Sequence, residues 1–220
     1  MTIVLLLGSA PDVVAARDWP RAPIDTVVAI NNAWRVRTDW DALVHAWDFP
    51  KDRIPTPDPG QTLITEDAFV PAQNAYGGFV YAGGTMAFTA AYWALHALRP
   101  RVLAVLGCNL HYPASGPTHF YGTGSPDPLR ADVTLQSLEA KSARLMIHAA
   151  RQGCAIVNLS HGPSRQVFPR VGRDSLLTAA PVLFDASLAA SADLAEATRL
   201  FIFFFLYNYY TTTVLNDNQH

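Results

Sequence analysis

Apolar and polar positions alternate along this chain in blocks rather than singly. "TIVLLLG" (2–8) is an unbroken apolar run closed by a glycine, the pattern of a strand covered on both faces in a parallel sheet. "DTVVAINNAW" (25–34) repeats the pattern and ends in the polar pair Asn31–Asn32, and "WDALVHAWD" (40–48) predicts a third strand ending at Asp48. The proline-rich stretch "PKDRIPTPDPG" (50–60) excludes regular structure. A short β-like segment then meets Gly83, Gly84 and Thr85 and leads into an alanine-rich apolar helix running to about Leu98. "RPRVLAVLGCN" (99–109) restarts the strand pattern. "LQSLEAKSARLMIHAARQG" (135–153) is the clearest helix, with Leu135, Leu138, Leu145 and Met146 at helical spacing and Gly153 as its stop. "CAIVNLS" (154–160) reads as the last buried strand.

Strands alternating with helices predict an α/β, Rossmann-like fold. The expected sheet is mostly parallel and doubly wound, with helices on both faces. The pattern changes after about Arg173, so residues 1–173 are expected to form one domain and 174–220 a helical and aromatic C-terminal appendage. "LLTAAPVLFDASLAASADLAEATRLF" (176–201) predicts one or two small helices. The apolar run in "FIFFFLYNYYTTTVLNDNQH" (201–220) is about half the ~20 residues a membrane span needs. Its aromatic content disfavours full solvation. It points to packing on the domain, homo-oligomerisation or peripheral membrane contact.

Composition narrows the function classes. Of 220 residues, 50% are apolar and 15% charged, which argues for a packed core and against disorder. A formal net charge of -2 and the absence of a Lys/Arg-rich run give no footprint for nucleic acid. Cys108 and Cys154 show no metal or redox spacing and predict reduced core thiols in a cytoplasmic protein. "MTIVLLLG" lacks the basic start of a signal peptide.

In open α/β sheets, ligands bind beyond the carboxyl ends of the strands. Those ends carry Gly8-Ser9-Ala10-Pro11-Asp12, Asn31-Asn32, Asp48, Asn109 and Asn158-Leu159-Ser160. Each is a common turn or cap former by itself, and their recurrence at corresponding positions points to a site. Gly8 to Asp12 is not a dinucleotide fingerprint, although its turn can present N–H groups to a polar ligand. Gly83, Gly84 and Thr85 before a helix form a phosphate candidate, and no Walker lysine follows them. Asp48 suits a ribose hydroxyl, a structural hydrogen bond or Mg²⁺, without a paired carboxylate that would make a metal obligatory. His111, His119 and His161 fall in loops after strands. His119 stands out in "GPTHFYGTGSPDPL" (116–129), where Tyr121 and the nearby Tyr112 can donate to phosphate oxygens.

With these residues placed, the chain resembles the bacterial sialyltransferases that modify lipooligosaccharide, a Rossmann-like family using CMP-sialic acid. The resemblance covers about Met1 to Arg170. "GSAPD" is similar to the family's first turn, Asn31 to its nucleotide-contacting asparagine, and Gly83 to Thr85 to its phosphate-holding turn. Leu106-Gly107-Cys108-Asn109 is similar to its S-G-x-D strand end, and "HFYG" (119–122) to the context of its catalytic histidine. Ser9 and Asn109 stand where the family has asparagine and aspartate, and the segment from Asn109 to His119 is shorter than the family's lid. The resemblance implies a CMP-sugar donor, a glycan acceptor, His119 as general base and no required cofactor. Related uncharacterised proteins are similar to pterin diphosphokinases, so an ATP- and Mg²⁺-dependent pyrophosphokinase is the alternative enzyme, one that Asp48 suits better. A nucleotide-binding protein without turnover is the third expectation.

Overall fold

Side chains alternate between the two faces of a strand, so an unbroken apolar run requires cover on both. That is how these runs are used in a computed structural model, which describes residues 2–78, 83–112, 115–122 and 137–209. The strands are β1 (Ile3–Leu7), β2 (Thr26–Ile30), β3 (Ala42–Val44), β4 (Thr62–Ile64), β5 (Val102–Leu106) and β6 (Ala155–Asn158). They form one sheet in the order β4-β3-β2-β1-β5-β6, and every strand pairing in it is parallel. In register, Val4 lies opposite Thr26 of β2 and Leu103 of β5.

Alternate residues of β1 feed two separate cores. Val4 and Leu6 join Phe88, Tyr92 and Leu145, while Ile3, Leu5 and Leu7 join Val13, Ala33 and Leu176. The first core is roofed by α1 (Glu66–Asn74), α2 (Met86–Ala97) and α3 (Leu138–Arg151). α2 is buried continuously from Phe88 to Leu95, as a helix that is apolar all round should be. α3 begins at Ser137, whose hydroxyl accepts from the Ala140 N–H.

The second core departs from the expected α-helical cover. Its lid among the described residues is a set of 3-10 segments, Pro11–Asp18, Asn31–Arg35 and Arg173–Thr178. The sequence gives a reason: Pro11, Pro20 and Pro23 break the first connection, leaving room only for short tight turns. β3 is also shorter than expected, ending at Val44, so Asp48 lies in the loop beyond it. The proline-rich stretch holds one 3-10 turn, Lys51–Arg53, and is followed by β4 and α1. The β-like segment before Gly83 lies outside the described residues.

The chain divides into two compact units, Met1–Val182 and Leu183–His220. The second contains α4 (Ala186–Tyr209), one continuous helix where one or two small ones were expected. Asp185 caps its start, accepting from the N–H groups of Ser187 and Leu188. Among the described residues, no helix is long and apolar enough to cross a membrane.

Candidate functional site

Strand order reverses between β1 and β5, because the chain builds outward on one side through β2 to β4 and then returns to the other. A crevice is expected at the carboxyl ends of that pair. A cleft of about 790 Å³ opens there, within the size range of small-molecule sites.

The floor is set by two strand ends that remain tied beyond the sheet. The Gly8 N–H donates to the Leu106 carbonyl and the Ala10 N–H to the Gly107 carbonyl, both at 2.8 Å. A Cβ on Gly8 would sit 2.3 Å from the Gly107 oxygen and 2.5 Å from Cys108 Sγ, so the approach requires glycine. Burial pushes the Cys108 thiol up to about 12, which keeps it protonated and unfit as a nucleophile. Asn109 follows and is buried. Its Nδ2 donates to both Asp12 carboxylate oxygens at 3.3 and 3.4 Å, and its Oδ1 has no partner among the described residues.

Asn31 and Asn32, which follow β2 at the start of the 3-10 segment, also line the cleft. Asn31 holds φ 50°, a left-handed conformation unusual for a residue with a side chain, although asparagine tolerates it best. The Oδ1 atoms of Asn31 and Asn32 are buried without hydrogen-bond partners among the described residues. With Asn109, three amide groups at one cleft therefore carry unmet hydrogen-bonding capacity, a costly arrangement that a polar ligand can relieve.

Thr85, Met86 and Ala87 contribute the start of α2. Thr85 Oγ1 accepts from the Phe88 N–H at 3.3 Å, which leaves its own O–H free to donate to a ligand. First-turn N–H groups lack intrahelical acceptors and carry the positive end of the helix dipole.

His119 reaches the cleft on a small hairpin. His119 and Gly122 exchange N–H···O bonds of 3.0 and 3.1 Å around Phe120 and Tyr121. Phe120 anchors the turn: its N–H donates to the Ser9 carbonyl at 2.9 Å, and its ring packs against the second core. Its neighbours His119 and Tyr121 line the cleft, their rings stacked with centroids 5.0 Å apart. The Tyr112 ring is tilted against that of His119, with centroids 6.0 Å apart. Thr118 Oγ1 is 2.8 Å from His119 Nδ1.

Gly8, Ser9, Ala10, Asn31, Asn32, Asp48, Thr85, Asn109, Tyr112, His119 and Tyr121 are thus brought to one cleft. Pro11 begins the adjoining 3-10 segment and is not among the lining residues. Gly83 and Gly84 also lie outside the lining. The Gly83 carbonyl accepts from Lys141 Nζ at 3.1 Å, and a Cβ there would press on the buried Gln73 side chain at 2.8 Å, so it serves packing. At the end of β6, Asn158 Oδ1 accepts from the Ser160 N–H and Ser160 Oγ from the Gly107 N–H, so these residues brace the floor. The stretch beyond Gly122 in the His119 loop, 123–129, lies outside the described residues.

Of the lining residues with polar or charged side chains, Arg53, Thr118 and Arg165 had no site role in the sequence reading. Arg53 is hidden in a proline-rich stretch read as a plain loop. Arg165 closes a chelated pair with Glu139, at 2.7 and 2.9 Å, that holds the Glu139 carboxyl down to about 2. Thr118 had a signal available, since a hydroxyl adjoining a candidate base can fix its tautomer. Among the described residues, no group of three His, Cys, Asp or Glu gathers as a metal cluster. No family model, curated protein or solved structure matches the chain.

Proposed function

We propose that this protein is a glycosyltransferase that uses a CMP-sugar of the sialic acid type and passes the sugar to a glycan hydroxyl, with His119 as general base. The observation that carries this reading is the hairpin that seats His119 over the same cleft that Asn31, Asn32 and the start of α2 line.

The parts divide the chemistry. Asn31, Asn32 and the Gly8 to Ala10 turn offer hydrogen bonds to base and ribose. Thr85 and the first-turn N–H groups of α2 receive the phosphate, joined by the hydroxyls of Tyr112 and Tyr121. His119 removes the proton of the acceptor hydroxyl, whose oxygen attacks the anomeric carbon. The bond from that carbon to the phosphate oxygen breaks, and CMP departs with the electron pair. A neutral imidazole performs this transfer near neutral pH. For Nε2 to accept the proton, the Nδ1 proton must point to Thr118 Oγ1, which the 2.8 Å contact accommodates.

A thermal-shift panel of CMP, CMP-sialic acid, UDP-sugars and ATP with and without Mg²⁺ tests the ligand class. Stabilisation by CMP and CMP-sialic acid is expected, and stabilisation by ATP–Mg²⁺ alone would favour a pyrophosphokinase. His119→Ala is expected to lower transfer by at least about 100-fold while CMP affinity, read by calorimetry, stays near wild type. Joint loss of both would make His119 a binding residue.

A further inference from the structure

The two arginines that line the cleft are in opposite situations. Arg165 is engaged at Nε and Nη2 by the Glu139 carboxylate. The Arg53 side chain is exposed and has no hydrogen-bond or ion-pair partner among the described residues. Its backbone is nevertheless fixed, because its N–H donates to the Pro50 carbonyl at 2.9 Å and its carbonyl accepts from Trp34 Nε1 at 3.1 Å. Arg35 does not compete for the same space, since its guanidinium lies over the Trp34 ring, 5.4 Å from the centroid. Asp48, the carboxylate on this loop that lines the cleft, likewise has no partner among the described residues and does not neutralise Arg53. Two opposite charges on one short loop that line a cleft and do not pair leave both available to a ligand.

In the reading above, the start of α2 receives the donor's phosphate. A second, unneutralised cation following β3 implies a second negative charge on the ligand. We propose that Arg53 binds the carboxylate of an acidic donor sugar and so sets the donor class, while Asp48 accepts hydrogen bonds from hydroxyls of that sugar. This assignment rests on the CMP-sugar reading above. A planar guanidinium engages a carboxylate with two parallel N–H···O bonds, and a neutral sugar offers it no such partner.

Calorimetric titration of the full chain with CMP and with CMP-sialic acid tests it, comparing wild type, Arg53→Gln and Arg53→Lys. CMP affinity is expected to change by less than about 2-fold in both variants, and CMP-sialic acid affinity to fall about 10-fold or more in Arg53→Gln. Arg53→Lys, which keeps the charge and loses the fork, should fall less. Equal weakening of both ligands would move Arg53 to the nucleotide phosphate and overturn the assignment, as would undiminished CMP-sialic acid binding by Arg53→Gln. A wild-type chain that binds neither ligand overturns the CMP-sugar reading itself, and this assignment with it. Binding of CMP by wild type with no donor-specific loss overturns the donor assignment alone. Melting curves report the fold of the variants, and an exposed, unbonded side chain should leave them unchanged.

Discussion

At the scale of single residues, the site is made of groups whose local chemistry is incomplete within the protein. Asn31 occupies a left-handed conformation, and it shares with Asn32 and Asn109 a buried amide oxygen that no described residue bonds. The sequence made these asparagines visible because a polar residue after an apolar run is conspicuous. It did not separate them from Asn158, which follows the same pattern and is satisfied internally by Ser160. That difference depends on which side chains from distant strands come within reach, and spacing along one strand does not carry it. Thr118 illustrates the same limit: its place beside His119 is plain in sequence, but its 2.8 Å contact with Nδ1 is set by the hairpin. If that contact fixes the tautomer, Thr118→Val should lower kcat about 10-fold or more with little change in KM, and Thr118→Ser should recover most of the rate. Steady-state kinetics checks both. A loss confined to KM would show that Thr118 contacts substrate instead.

At the scale of elements, legibility followed the strength of the pattern. β1, β2, β5, β6, α2 and α3 are long or strongly apolar, and their existence was readable. β4 has three residues, and α1 carries Pro71 inside it, so neither presents a pattern that stands out from the proline-rich stretch before them. The 3-10 cover of the second core is tied by a buried arginine as well as by apolar contact. Arg37, buried, donates through Nη1 to the carbonyls of Ala16 and Trp19 at 3.0 and 2.9 Å, and through Nε and Nη2 to Asp39 at 2.8 and 2.7 Å. The bonds from Arg37 hold the Asp39 carboxyl down to about 2 from its ordinary 3.8, against the opposing effect of burial, with help from the charges of Arg37 and Arg21. A carboxyl whose folded value is depressed contributes stability that is present above its unfolded value and is lost as pH falls through its folded value. Stability from this source should therefore hold from neutral pH down to about 4 and decline between about 4 and about 2. Asp39→Asn should be less stable than wild type at pH 7, and the gap should narrow across that same window. Urea denaturation at a series of pH values checks it. A gap that stays constant down to pH 2 would remove the ion pair from the account.

At the scale of the whole molecule, the sheet order, the two cores and the cleft all belong to one stretch of chain. Among the described residues, every member of both buried clusters lies between Ile3 and Ala179, and every residue lining the cleft between Gly8 and Arg165. The compact unit that contains them ends at Val182, several residues beyond the change in sequence pattern near Arg173. The extension has a visible cause, because Leu176 and Ala179 are buried members of the second core. Arg101 Nη2 also donates to the carbonyls of Leu177 and Ala179 at 3.4 Å. A boundary drawn at 173 would remove Leu176 and Ala179 from the second core and expose part of its apolar surface. A chain cut after Val182 should therefore unfold cooperatively with a melting temperature within a few degrees of the full protein. A chain cut after Arg173 should be less stable by roughly 2–5 kcal/mol, the range for removing one fully buried leucine side chain. The same 1–182 fragment should bind CMP with wild-type affinity, since both cores and the cleft lie within it as far as the described residues go. Calorimetric melts and titrations on the two truncations decide the matter. Loss of CMP binding by 1–182 with its melt intact would show that residues 183–220 supply part of the site.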